Sequence, residues 1–155
     1  MLAPAGILGG IFATVATAAF RFLRPINHNT VNGWVNVTPA GEKKDGSPSL
    51  CRVVSEQQIG WAVAQEEHFV YQLPGAERTI LSTVCPHEGC SVGWNEDRKV
   101  FVCPCHDSSF APDGSRISGP SLRGLDPLPV REVNGVVQVQ YLSFVNNTAD
   151  RKVVE

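Results

Sequence analysis

The chain has no basic run, and its thirteen Lys and Arg are outweighed by fifteen Asp and Glu, for a net charge of −2. That balance argues against a nucleic-acid partner. Beyond residue 24 no apolar pattern of helical period runs for any length, so no long helix is expected there. Metal-ligating side chains are few, with five Cys and four His. The 155 residues are near the size of a single domain. The first 24 residues carry only Arg21 and Arg24, so residues 25–155 hold 11 basic and 15 acidic side chains, a net of −4.

Leu2 to Phe20 is the long hydrophobic run. Its nineteen residues hold no charge. As a helix at 1.5 Å per residue they would span roughly 28 Å, close to the ~30 Å hydrocarbon core. Pro4 suits the first turn, and Gly6 with Gly10 permits close helix packing. Residues 1–24 are therefore expected to form a transmembrane anchor. A cleaved signal peptide, with Ala16-Thr17-Ala18 at its cleavage site, is the competing reading. Against it, no basic stretch precedes the run, which is longer than a usual signal core. Residues 25–33 are polar and rich in Asn, as in a linker, and His28 within them reads as a solvated linker residue.

The head, residues 34–155, reads as all-β. Trp34–Val37 alternates, and a turn-rich stretch from Pro39 to Ser49 follows. Strands are expected at Leu50–Val54, Gly60–Ala64, His68–Leu73 and Thr79–Val84. Arg98–Val102 should pair with Ser91–Trp94 across Asn95-Glu96-Asp97. Asn134-Gly135 is the best hairpin signal and joins Leu128–Val133 to Val136–Leu142. Many short strands with Gly and Pro turns predict a sandwich of small antiparallel sheets. Cys51 lies in an apolar run and reads as a buried free thiol.

The chemistry gathers in two short segments, Cys85-Pro86-His87-Glu88-Gly89-Cys90 and Cys103-Pro104-Cys105-His106-Asp107-Ser108. Each supplies a Cys and a His, and each leaves a further cysteine, Cys90 and Cys105, that can tie the loops together. Two thiolates and two imidazoles can hold a metal centre. A zinc site with two Cys and two His ligands is the plain alternative. Zinc, however, takes paired cysteines at Cys-x2–4-Cys and histidines at His-x3–5-His, whereas here each loop gives one of each. A purely structural cysteine set is a further alternative.

The segments resemble the two cluster-binding boxes of the Rieske iron–sulfur proteins, Cys-x-His-x-Gly-Cys and Cys-x-Cys-His-x-Ser. The resemblance implies a Rieske fold of small antiparallel sheets, with a cluster-binding part inserted at about residues 84–122. It also implies a 2Fe–2S cluster, one iron held by Cys85 and Cys103 and the other by His87 and His106. Neutral imidazoles in place of two thiolates raise the potential above that of an all-cysteine centre. In relatives from quinol-oxidising complexes the cysteines matching Cys90 and Cys105 are bridged, whereas Rieske ferredoxins and oxygenases usually lack them. Such a bridge contributes about 3 kcal/mol by the chain-entropy argument.

Ser108 matches the serine that donates to a bridging sulfide, which raises the potential. Phe110 stands where the family has a tyrosine that bonds a ligand sulfur, so one donor is missing and a lower potential is expected. Gly119-Pro120-Ser121 resembles the proline loop that covers the cluster, with Ser121 where alanine is common. Glu88 replaces a frequent leucine and Asp107 a glycine, and each is expected to set a carboxylate beside an exposed imidazole. That charge disfavours adding an electron and could hand on protons, with a solvated surface role as the plain alternative.

The function implied is that of the Rieske subunit of a membrane quinol:cytochrome oxidoreductase. His106, slightly favoured over His87, accepts a hydrogen bond from quinol and takes a proton as the electron arrives. A cytochrome b takes the second electron, and the head delivers its own to a c-type or similar cytochrome, within a dimeric complex. The alternatives are an electron-transfer subunit of another redox enzyme, such as one with a molybdenum partner, or a ferredoxin-type carrier. Orientation is contested. Arg21 and Arg24 taken alone favour a cytoplasmic head, whereas the family and a disulfide favour the oxidising, positive side. The positive side is expected, with an upstream basic or twin-arginine segment as the missing determinant.

Overall fold

The computed structural model describes residues 33–38, 43, 45–59, 62–75 and 79–154. The anchor, His28 and all of the linker but Gly33 lie outside the described residues. No helix among the described residues is long and apolar enough to cross a membrane.

The described residues form eleven strands: β1 (Trp34–Thr38), β2 (Ser49–Ile59), β3 (Ala62–Gln72), β4 (Ile80–Ser82), β5 (Gly93–Asn95), β6 (Val100–Val102), β7 (Ser109–Phe110), β8 (Arg116–Ser118), β9 (Pro127–Leu128), β10 (Val130–Val133) and β11 (Val136–Gln140). They build an antiparallel seven-stranded sheet, in the order β10-β11-β1-β2-β3-β4-β9, and a four-stranded one, β5-β6-β7-β8. The all-β expectation of antiparallel sheets holds, and β5–β8 fall inside the predicted insertion. The outer strands β9 and β10 are separated by Pro129 alone, so the large sheet curls until its edges meet. Proline has no N–H for the ladder, which is why one predicted strand, Leu128–Val133, becomes two. Leu128 pairs with Ile80 and Val130 with Val139.

The predicted strands Gly60–Ala64 and His68–Leu73 are corrected to a single strand, β3. It pairs with β2 from Ser49↔Gln72 to Ile59↔Ala62. Gln65-Glu66-Glu67 looks like a break because it has no buried face. In the structure these three residues are exposed because the ribbon extends past its neighbours. Strand β1 reaches β2 only at Arg52 and Val53, and β4 reaches β3 only at residues 70–72. Other strands come close to expectation. Asn134, at φ 52°, and Gly135, at φ 79°, make the β10–β11 turn, and β5 pairs with β6 from Gly93↔Val102 to Asn95↔Val100.

Strands β3 and β4 form the wall between two cores. Neighbouring residues of a strand face opposite ways. Val70 and Ile80 therefore join Val37, Cys51, Val53, Leu128 and Val139 inside the large sheet. Tyr71 and Leu81 turn the other way, to Val92, Phe101, Phe110 and Leu125. Cys85 and Cys103 are part of this second core. Cys51 is a buried free thiol, as expected.

Candidate metal centre

The two segments are built alike. In each, the N–H of the first cysteine donates to the carbonyl five residues on, Cys85 to Cys90 and Cys103 to Ser108, both at 2.8 Å. In each, the fifth residue has positive φ, Gly89 at 79° and Asp107 at 57°. Asp107 thus adopts a left-handed conformation that glycine takes without a Cβ penalty and Asp tolerates better than most residues. A Cβ on Gly89 would sit 3.0 Å from Asn146 Nδ2, a tight contact to which the Asn146 side chain would have to yield.

These turns aim the ligand candidates. Cys85 and Cys103 are buried, at 0% and 1% exposure. Burial pushes the Cys85 thiol up and its neighbour Cys103 adds to that, while the backbone N–H groups of His87 and Glu88 oppose it. The His87 and His106 rings lie edge to face with centroids 4.9 Å apart. His87 is mostly covered and His106 about half exposed, with side-chain exposures of 16% and 48%. Cys90 and Cys105 form a disulfide between the loops. The sulfurs of Cys90, Cys103 and Cys105 lie within 4.8 Å of one another, but the disulfide consumes two of them, so only Cys103 of that trio keeps a thiol.

The Glu88 carboxylate reaches both rings, with Oε1 3.9 Å from His87 Nε2 and Oε2 3.7 Å from His106 Nδ1. The sequence pattern paired Glu88 and Asp107 as similar departures. The structure separates them, since among the described residues Asp107 makes no ion pair with either ring. Phe110 is fully buried and pairs with Phe101 across β6 and β7, so its ring fills core space and carries no hydroxyl.

The third loop packs on the second. A Cβ on Gly119, at φ +93°, would lie 2.4 Å from the Ser108 Cα, which only glycine avoids. Ser121 N–H donates to Ser108 Oγ at 3.1 Å, which leaves the Ser108 hydroxyl hydrogen to donate elsewhere. Ser121 Oγ donates to Arg123 O at 2.8 Å, so a serine is satisfied where alanine is common. Arg116 was missed in the sequence, yet it grips this loop through Nη2 on Gly119 O, at 2.7 Å, and Nε on Ser121 O. An arginine in a short polar segment gives no sign that carbonyls await its fork.

The Rieske 2Fe-2S domain family matches residues 33–133. The chain belongs to the Rieske family. A cytochrome b6-f complex iron-sulfur subunit of Chlorobaculum tepidum is 27% identical over 131 residues, covering 81% of this chain and 64% of its own length. The chloroplastic subunit of the same name from Bigelowiella natans is 42% identical over 57 residues, 37% of this chain and 23% of its own length. The chain thus spans less than two thirds of either relative. Among solved structures, the plasma membrane Rieske protein of the cyanobacterium Synechocystis PCC 6803 is 24% identical at a TM-score of 0.44, covering 69% of this chain and 98% of its own. A structure described as a hyperthermophilic respiratory Complex III is 22% identical at a TM-score of 0.45, covering 85% and 95%. The cofactor of a Rieske domain is a 2Fe–2S cluster, and the donors here suit it: two buried free thiols, and two imidazoles brought together, of which His106 is half exposed.

Proposed function

We propose that this chain is the Rieske electron-transfer subunit of a membrane quinol:cytochrome oxidoreductase. Cys85 and Cys103 would hold one iron and His87 and His106 the other, and Ser108 would donate a hydrogen bond to the cluster. A 2Fe–2S cluster bound there supplies a one-electron acceptor of raised potential, because imidazoles replace two thiolates. The observation that carries the proposal is the pair of imidazoles, one of them half exposed, braced by the Cys90–Cys105 disulfide. The names of the b6-f relatives support it.

His106, the more exposed ring, accepts the hydrogen bond from quinol and holds the proton. His87 is the shielded partner. The disulfide keeps the two rings in register while the head moves between partners. A cytochrome b-type subunit takes quinol's second electron, and a c-type or similar cytochrome collects the first. Residues 1–24 anchor the subunit by a single span, residues 25–33 form its hinge, and the head works on the positive side of a dimeric complex. This is an oxidoreductase role exercised only within the complex.

The test uses membranes containing the full chain and its complex. Quinol should reduce the Rieske centre, and a quinol-site inhibitor should stop it. The midpoint potential should fall as pH rises into the alkaline range, because a proton accompanies the electron. Reduction that ignores the inhibitor, or co-purification with a molybdenum subunit instead of a cytochrome b, would overturn the proposal.

A further inference from the structure

The family match ends at residue 133, yet the segment that follows β11 lies against the ligand loops. Residues 143–154 fold back on themselves, with Phe144 bridged to Val153. Val145 N–H donates to Lys152 O at 2.8 Å, and Val154 N–H to Ser143 O at 2.9 Å. At the tip of this hook Asn147, in the left-handed region at φ 54°, donates its N–H to Pro86 O at 2.8 Å. Pro86 sits between Cys85 and His87. Asn146 closes over Gly89 in the same loop, 3.0 Å from where a Cβ would stand.

One side chain fastens the hook. Arg123 places Nη1 on Thr148 O at 2.7 Å, on Val145 O at 3.0 Å and on Thr148 Oγ1 at 3.1 Å. Its Nε and Nη2 form a two-pronged bond to Asp126, both at 2.8 Å. The pair is buried, with both side chains 4% exposed. Arg151 adds a second cation on Asp126 Oδ1 at 3.2 Å. The Arg123 carbonyl receives Ser121 Oγ, and Ser121 N–H reaches Ser108 Oγ. An unbroken run of bonds thus passes from Pro86 in the first loop, through the hook and Arg123, to Ser108 in the second.

We infer that residues 143–154 are a clamp that sets the position of the first ligand loop, and that Arg123 is the positioning residue that locks it. Burying an arginine is costly unless its donors are met, and here the fork geometry meets them in a way a lysine cannot. The disulfide fixes the loops to each other; the clamp fixes the pair to the body of the head. The inference rests on Cys85, His87, Cys103 and His106 being the ligands.

The experiment compares the full chain with its Arg123→Lys and Thr148→Val variants, by amide hydrogen exchange and by electron paramagnetic resonance of the reduced protein. In Arg123→Lys, exchange at Asn147, Gly89 and Cys85 should quicken by roughly tenfold or more, while strands β2 and β3 stay protected. The g values should shift and the potential should change. Thr148→Val, which leaves the Arg123–Asp126 fork in place, should give the same pattern more weakly. Faster exchange at Asn147 with Gly89, Cys85, g values and potential unchanged would overturn the clamp. So would no change in either variant. If Arg123→Lys fails to fold, Thr148→Val and a chain ending at Leu142 decide: loops and spectra like those of the parent overturn the inference, and loosened loops sustain it. A parent protein without nitrogen-ligated iron would defeat the ligand assignment instead, and exchange on the cluster-free chain would still read the clamp.

Discussion

The seven-stranded sheet and the four-stranded insert solve the same problem differently. The sheet has strands up to eleven residues long and holds a core of Val37, Val53, Val70, Ile80 and Val139, a matter of apolar area removed from water. The insert has strands of two or three residues, too short to hold a loop by ladder bonds alone. It relies on point fasteners: a disulfide, the Ser109–Ser118 hydroxyl pair at 2.7 Å, the Arg116 fork and the contact of Gly119 with Ser108. The lesson is that stability and positioning are separable here, and variants should divide accordingly.

The largest effect belongs to the insert. Cys103→Ser removes a buried donor, so the cluster and its paramagnetic signal should be lost entirely while far-UV circular dichroism still reports the large sheet. A chain that keeps the signal would break the ligand assignment. Next come two losses of similar size with different signatures. Ile80→Ala opens a cavity in the sheet core and should cost about 2–5 kcal/mol, seen in thermal melts, with the potential unchanged. Removing the Cys90–Cys105 bridge should cost about 3 kcal/mol and should also alter the potential. If both variants moved stability alone, the comparison would fail.

Smaller effects sharpen it. Phe110→Tyr restores the hydroxyl that the family's tyrosine, by resemblance, gives a ligand sulfur. A net hydrogen bond of about 0.5–1.5 kcal/mol corresponds to roughly 20–65 mV for one electron, so potentiometry should show a rise of that order. Glu88→Leu withdraws a carboxylate from both rings and should also raise the potential. The smallest effect lies in the sheet. His68 is stacked on Tyr141 with centroids 3.9 Å apart, and burial holds its pKa below the ordinary value of 6.5. The unfolded chain therefore binds the proton more readily, and the head should lose stability as pH falls below about 6.5. Denaturant melts at several pH values should show that slope flattened in His68→Gln.

The insert was the more legible part of the sequence, because its ligand candidates are adjacent residue types at fixed spacing. The sheet was less so. A period of two fails where a ribbon is exposed on both faces, which hid β3 behind Gln65-Glu66-Glu67. It also fails where one proline passes the chain between two sheet edges, as at Pro129. Arg116, Arg123 and the hook were invisible for another reason. Most of their partners are backbone carbonyls, and those of the hook are also distant in the chain, which leaves no mark on composition or period. Glu88 and Asp107 looked alike as departures, and only the fold separates a carboxylate between two imidazoles from a residue serving a left-handed turn.

The most direct test of the central claim is paramagnetic resonance of the reduced, purified full chain during potentiometry, with nitrogen couplings resolved. The expected result is a 2Fe–2S signal coupled to two histidine nitrogens, at a potential above that of an all-cysteine centre. A silent protein holding one zinc ion, or a cluster without nitrogen coupling, would contradict it.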